Sequence, residues 1–279
     1  MPHDDIADNN VTAMNSASRE AHALLSFYLD AGVDALVGEK PVDRMADEAA
    51  PAAAAAVRQP RPQPQVRRDA ARTTVAAASP DAAIMAAREA ARTAASLDDL
   101  RALLESFEGC PLRNTATQLV FADGNPQARV MFVGEAPGYE EDISGRPFVG
   151  RSGKLLDRMI EAIGLDRTSA YIANVVPWRP PGNRTPTPQE TAICLPFIRR
   201  QIELANPDIL VCLGGPSAQT LLGIKDGITR ARGRWFTYDT GKREIRALAT
   251  FHPAFLLRSP LQKRLVWRDL IAIKKALAQ

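Results

Sequence analysis

The chain has 279 residues, 24% of them charged and 46% hydrophobic, with a formal net charge of +3. That length accommodates one α/β domain with a sizeable core and leaves room for an extension, and a charge this small permits a polyanionic partner without arguing for one. Three cysteines, Cys110, Cys194 and Cys212, no secretory signal and no apolar run of bilayer-spanning length predict a soluble cytoplasmic protein with reduced thiols and no membrane association.

Composition changes along the chain. Up to about residue 92 Ala, Pro, Arg, Gln and Asp dominate, whereas from about residue 97 Leu, Ile, Val and aromatics recur at regular intervals. The expected division is an arm over residues 1–95, a helix followed by an Ala/Pro-rich low-complexity linker, and a folded domain over residues 96–279. Within the arm, Ala21, Leu24, Leu25, Tyr28 and Leu29 are spaced for an amphipathic helix that stops at Gly32. Residues 41–80 include RQPRPQPQ, an extended polyproline-type spacer. Residues 81–95 are alanine-rich enough to be helical but offer little to pack.

Ser96 with Asp99 three residues on is a capping-box pattern, starting a helix through Leu100, Leu103 and Leu104 to about Phe107. A short strand is expected at residues 118–121, closed by a turn at Asp123-Gly-Asn-Pro126. Four apolar runs then read as parallel strands, at residues 130–133, 170–176, 209–213 and 246–251, with helical patterns at 155–163, 189–204 and 217–222 between them. Alternation of this kind predicts an α/β fold, a three-layer α/β/α sandwich around a central, mostly parallel four-stranded sheet. Right-handed crossovers bring all four strand ends to one edge, where Glu135, Asn174, Gly214-Gly215 and His252 would gather.

Two motifs invite chemistry. GRPFVGRSGK, residues 145–154, suggests a phosphate-binding loop but fails, because Phe148 stands where its first glycine belongs and Leu155 follows the lysine in place of Ser or Thr. The second is FHPAFLLR, residues 251–258, where a proline after the strand turns the imidazole of His252 out of the sheet edge. His3 and His22 lie in the arm, so His252 is the imidazole available to the domain.

Together, GEAPG with GRPFVG downstream, the Asn174-Val-Val run leading to RPPGNR, Glu190 and Cys194, LGG, RGRW and HPAFLLRSP resemble the uracil-DNA glycosylase superfamily, most closely its family 4 branch, over residues 107–279. The resemblance implies a monofunctional DNA-repair hydrolase that flips deoxyuridine from the stack, cuts its N-glycosidic bond and leaves an abasic site. It implies that Phe148 stacks on uracil, that the Asn174 amide matches O4 and N3–H, and that Ala136 and Glu141 line the base pocket. His252 would donate to O2 as it turns anionic, and Glu135 would either orient water or stabilise the sugar cation. Leu256, Leu257 and Arg258 resemble a duplex wedge, with Arg184 and Arg232 as phosphate contacts. Uracil-containing DNA, single- or double-stranded, is the implied partner of a monomer; the alternative is a non-catalytic damaged-DNA or single-stranded-DNA binding protein.

The chain departs from family 4 at the iron–sulfur ligands, having Phe107 and Trp178 where two of the four cysteines belong and keeping only Cys110 and Cys194. A cubane needs four ligands, so no cluster and no other metal or cofactor is expected. Ala136 stands where other branches carry an Asp, and Gly138 where some place a bulky residue against the thymine methyl. Tyr139 or Glu141 would then do that job, or the pocket would accept further damaged bases.

Overall fold

The protein is described by a computed structural model over residues 80–279. The expected helix at residues 17–31 and the proline-rich spacer lie outside the described residues.

The chain enters through helix α1 (Pro80–Thr93) and α2 (Leu97–Ser106), the latter started by the expected capping box: Ser96 Oγ accepts from the Asp99 N–H and Asp99 accepts from the Ser96 N–H. A short 3-10 turn at Pro111–Asn114 leads to a two-residue strand β1 (Asp123–Gly124), then β2 (Val130–Gly134), α3 (Tyr139–Ser144), α4 (Arg151–Glu161) and β3 (Tyr171–Asn174). The second half runs α5 (Pro188–Ala205), β4 (Ile209–Leu213), α6 (Gly215–Leu222), α7 (Ile228–Ala231), β5 (Trp235–Asp239), β6 (Glu244–Thr250), α8 (Pro253–Arg258) and α9 (Lys263–Leu277).

Six strands form one sheet in the order β1-β3-β2-β4-β6-β5. The four expected strands are its parallel centre, β3-β2-β4-β6, and β1 and β5 add antiparallel edges. Residues 118–121 do not pair as a strand; Asp123 and Gly124, expected as a turn, pair with β3 instead. Because side chains alternate across a pleated strand, the sheet feeds two cores. Met131, Val133, Ala173, Leu210 and Cys212 face the layer of α1, α2 and α5, while Val130, Phe132, Ile172, Val211 and Leu213 face that of α4 and α9.

The alanine helix is a correction. Ala83, Ala87, Ala91 and Ala94, four or three residues apart, are all buried in the first core, where α1 lies against α5. Small side chains contribute by letting two helix backbones approach, so the alanine repeat is a packing face and the folded unit begins before residue 96. Among the described residues no helix is long and apolar enough to cross a membrane.

Candidate active site

Strand β2 lies between β3 and β4: the chain crosses from β2 to β3 on one side and then returns past β2 to β4 on the other, a reversal that opens a crevice at the carboxyl ends. A cavity of about 560 Å³ occupies that crevice, lined by Glu135, Phe148, Asn174, Gly214 and His252 among others. The four strand ends thus meet as the sequence implies.

Asn174 ends β3 in register with Gly134 at the end of β2. It is 4% exposed, and its Oδ1 is buried with no hydrogen-bond partner. A Cβ on Gly134 would sit 2.4 Å from that Oδ1 and 2.6 Å from Cζ of Phe148, so a glycine is what lets both side chains converge on the cavity. Phe148 itself holds a left-handed backbone, φ 55°, which a bulky residue rarely adopts. Its ring stacks on His252 with centroids 5.4 Å apart at 30°.

His252 caps the amino end of α8, its Nδ1 accepting from the Ala254 N–H at 3.1 Å. That bond places the proton of the neutral ring on Nε2. Burial, assisted by the Arg258 guanidinium and opposed by Glu141, pushes its pKa down to about 4, so the imidazole is neutral at physiological pH and offers one N–H donor. Glu135 follows β2; burial raises its carboxyl above the usual range against a hydrogen bond from Thr185. Its Oε1 is the second buried acceptor without a partner. Two orphaned acceptors in one cavity are unusual, since buried polar atoms are nearly always satisfied.

Other expected site residues fall into place differently. Ala136 lines the cavity. Glu141 borders it too, but its carboxylate is committed to backbone: Oε2 accepts from the Gly138 N–H at 3.1 Å, and Oε1 from Val149 and Gly150 at 2.9 and 3.0 Å. Those three bonds shape the loop from Gly138 to Gly150. Tyr139 is exposed under the Arg179 guanidinium, 5.0 Å from the ring centroid, and does not line the cavity.

Leu256 is 1% exposed and belongs to the second core, so it cannot serve as a wedge. The next two residues of α8, Leu257 and Arg258, are exposed, and Arg258 lines the cavity. Arg232 is likewise not a phosphate contact: its guanidinium is buried against Asp269 and donates to Leu265 O, while Asp269 also accepts from Thr250 Oγ1 at 2.6 Å. Arg184 lines the cavity but forks onto Glu190 at 2.7 and 2.8 Å, fastening its loop to the first turn of α5. Thr185 and Ile228, which also line the cavity, carry no motif that marks them in advance.

Residues 121–271 match the uracil DNA glycosylase superfamily. The chain belongs to that superfamily. It is 46% identical over 164 residues to a type-4 uracil-DNA glycosylase of Thermotoga maritima, covering 58% of this chain and 84% of that one. A type-4 uracil-DNA glycosylase of Archaeoglobus fulgidus is 41% identical over 169 residues, 59% of this chain and 85% of its own. A type-5 uracil-DNA glycosylase of Pyrobaculum aerophilum is 29% identical over 146 residues, 47% and 63% respectively.

The superfamily's iron–sulfur branch requires a ligand set, which can be tested on this chain. Cys110 and Cys194 lie with their Sγ atoms 3.9 Å apart, both buried. The hydrogen bond with Cys110, together with burial, pushes the Cys194 thiol well up, which keeps it protonated. Trp178 is 2% exposed in the same core, and Phe107 packs edge-on against Phe197 at 4.9 Å. Among the described residues no group of three or more His, Cys, Asp or Glu is placed to hold a metal, and Cys212 is in β4 with burial pushing its thiol up to about 12. Two thiols and two aromatic rings do not fit a four-iron cluster.

Proposed function

We propose that the cavity divides the excision of uracil from DNA among four side chains. The chain is a uracil-DNA-cleaving hydrolase of N-glycosyl bonds, acting in DNA repair. The flipped base enters the crevice with its face on Phe148. The Asn174 Oδ1 accepts from N3–H and its amide N–H donates to O4. Cytosine presents the reverse pattern, leaving buried groups unpaired, which is the costlier kind of mismatch.

The C1′–N1 bond breaks with both electrons leaving on uracil, so negative charge grows on O2 while the sugar becomes cationic. The Nε2–H of neutral His252 donates to O2, and the carboxylate of Glu135 faces the sugar. Water then adds to C1′ and gives a proton to Glu135, whose raised pKa makes it the better base. The product is an abasic site. Leu257 and Arg258 meet the DNA from which the base has left, a reading supported by their exposure on α8 and by Arg258 lining the cavity. The observation that carries this reading is the pair of buried, partnerless acceptors, Glu135 Oε1 and Asn174 Oδ1, in one cavity with a neutral imidazole donor.

The enzyme works without an iron–sulfur cluster, as a cytoplasmic monomer, with uracil as its first substrate on single- or double-stranded DNA. Phe107 and Trp178 fill by packing the space that ligands would take. Stoichiometric iron with broad visible absorbance in purified protein would contradict this.

The test is a labelled oligonucleotide with one uracil, treated with alkali after incubation with wild type, Glu135→Gln, Asn174→Ala and His252→Ala. Strong loss in each variant is expected. Equal activity in all four removes the site assignment, and binding without cleavage by wild type favours a non-catalytic damaged-DNA binder.

A further inference from the structure

We infer that Arg167, which lies outside the cavity, is a positioning residue for base recognition and acts through the backbone of Phe148. This rests on the reading that Phe148 is the face on which uracil stacks. The left-handed backbone of Phe148 is shared, among non-glycine described residues, only with Asn183 and Asn206, a residue type that tolerates it. A phenylalanine holds such a conformation only where its surroundings over-determine it.

Those surroundings are a clamp with two jaws. On one side the Glu141 carboxylate accepts from the Val149 and Gly150 N–H groups. On the other, Arg167 Nη1 donates to Pro147 O at 3.1 Å and Nη2 donates to Phe148 O. The guanidinium is in turn aimed by two carboxylates, Asp157 on α4 at 2.9 Å from Nε, and Asp123 on β1. Four acceptors thus take the planar fork of one arginine, an arrangement a lysine ammonium cannot reproduce. Gly153 completes the enclosure, since a Cβ there would lie 1.7 Å from Phe148 O.

The consequence is directional. Arg167 does not line the cavity, yet it sets the peptide plane that follows the Phe148 side chain, and the ring is the wall facing His252 at 5.4 Å. Loss of one jaw lets the Phe148 backbone relax towards an ordinary conformation and swings the ring. An ångström of misplacement near reacting groups costs on the order of a hundredfold in rate. The two carboxylates that aim Arg167 are only partly buried and hydrate when it is removed, so the fold survives.

The experiment is a double-mutant cycle on the full chain, with Arg167→Ala and Phe148→Leu separately and together, read as inhibition by free uracil, single-turnover excision and thermal midpoint. Arg167→Ala is expected to weaken uracil inhibition by roughly tenfold with Phe148 present and by less than about twofold in the Phe148→Leu background, at the same loss of thermal midpoint in both. Arg167→Lys, which keeps the charge beside Asp123 and Asp157 but loses the fork, is expected between wild type and Arg167→Ala and guards against a misfolded alanine variant. Equal loss in both backgrounds, or a lower thermal midpoint with unchanged uracil affinity, overturns the inference. A Phe148→Leu variant with wild-type uracil affinity overturns the stacking assignment beneath it, and the two failures are thereby distinct.

Discussion

The neutrality of His252 has a measurable signature in both catalysis and stability. In His252→Asn the asparagine keeps an oxygen to cap α8 at the Ala254 N–H but withdraws the donor that reaches the cavity. Loss of one donor to a developing oxyanion lowers the single-turnover rate by about 10²–10³. The unfolded chain takes up a proton on this imidazole near 6.5, whereas the native state resists until about 4. The contribution is therefore neutral above 6.5, and stability falls as pH drops from 6.5 to about 4, by about 3 kcal/mol at one proton across the interval. Urea denaturation of wild type and His252→Asn at a series of pH values reads the difference: the wild-type curve should be steeper over that window and parallel to the variant above it. The excision rate should show no inflection near 6.5. A wild-type rate that rises as pH falls through 6.5, with His252→Asn lacking the rise, would mean an imidazolium donor and refute the reasoning.

Three further outcomes follow from the geometry. Asn174→Ala should lose two hydrogen bonds to the base, about 2–4 kcal/mol or roughly 30-fold to 10³-fold in kcat/KM, with the thermal midpoint little changed because Oδ1 has no protein partner to lose. Gly134→Ala places a methyl 2.4 Å from Asn174 Oδ1 and 2.6 Å from Phe148 Cζ; overpacking costs about 1–3 kcal/mol, and uracil affinity should fall with it in an inhibition assay. Ala87→Leu forces a larger side chain between α1 and α5 where Ala87 is wholly buried, so chemical denaturation should register about 1–3 kcal/mol of lost stability without a change in KM. A neutral result there would mean that α1 is not part of the core.

The central sheet was legible because a buried parallel strand must be a continuous apolar run, and residues 130–133 and 209–213 are such runs bounded by turn residues. The edges were not: Trp235–Asp239 alternates weakly, and two residues of β1 carry no pattern at all. The alanine helix misled for a related reason. Alanine burial leaves no hydrophobic signature strong enough to distinguish a packed face from a solvated one, and its partner α5 is about a hundred residues away in the chain.

Glu135, Phe148, Asn174 and His252 were readable as cavity-lining residues because each stands at or just past a strand end or within a loop whose composition is unusual for its position. The roles of Leu256, Arg232, Arg184 and Glu141 were not, since an apolar residue in an exposed turn and one in the core look alike in one dimension. A charge also shows no partner until the chain folds. Asp269 lies 37 residues beyond Arg232 and Glu190 six beyond Arg184, yet both pairs close in space.

The sequence by itself determined the layer order, the strand ends that form the crevice and the four residue types that meet there, because these follow from local pattern and from which side chains exist, while the departure at two cluster-ligand positions follows from the resemblance to family 4. Tertiary structure alone decided which of the charges are free, that His252 is a neutral donor, and that Phe148 is held in a left-handed conformation by Arg167 and Glu141. Burial and partner geometry set those properties, and both are sums over residues distant in the chain.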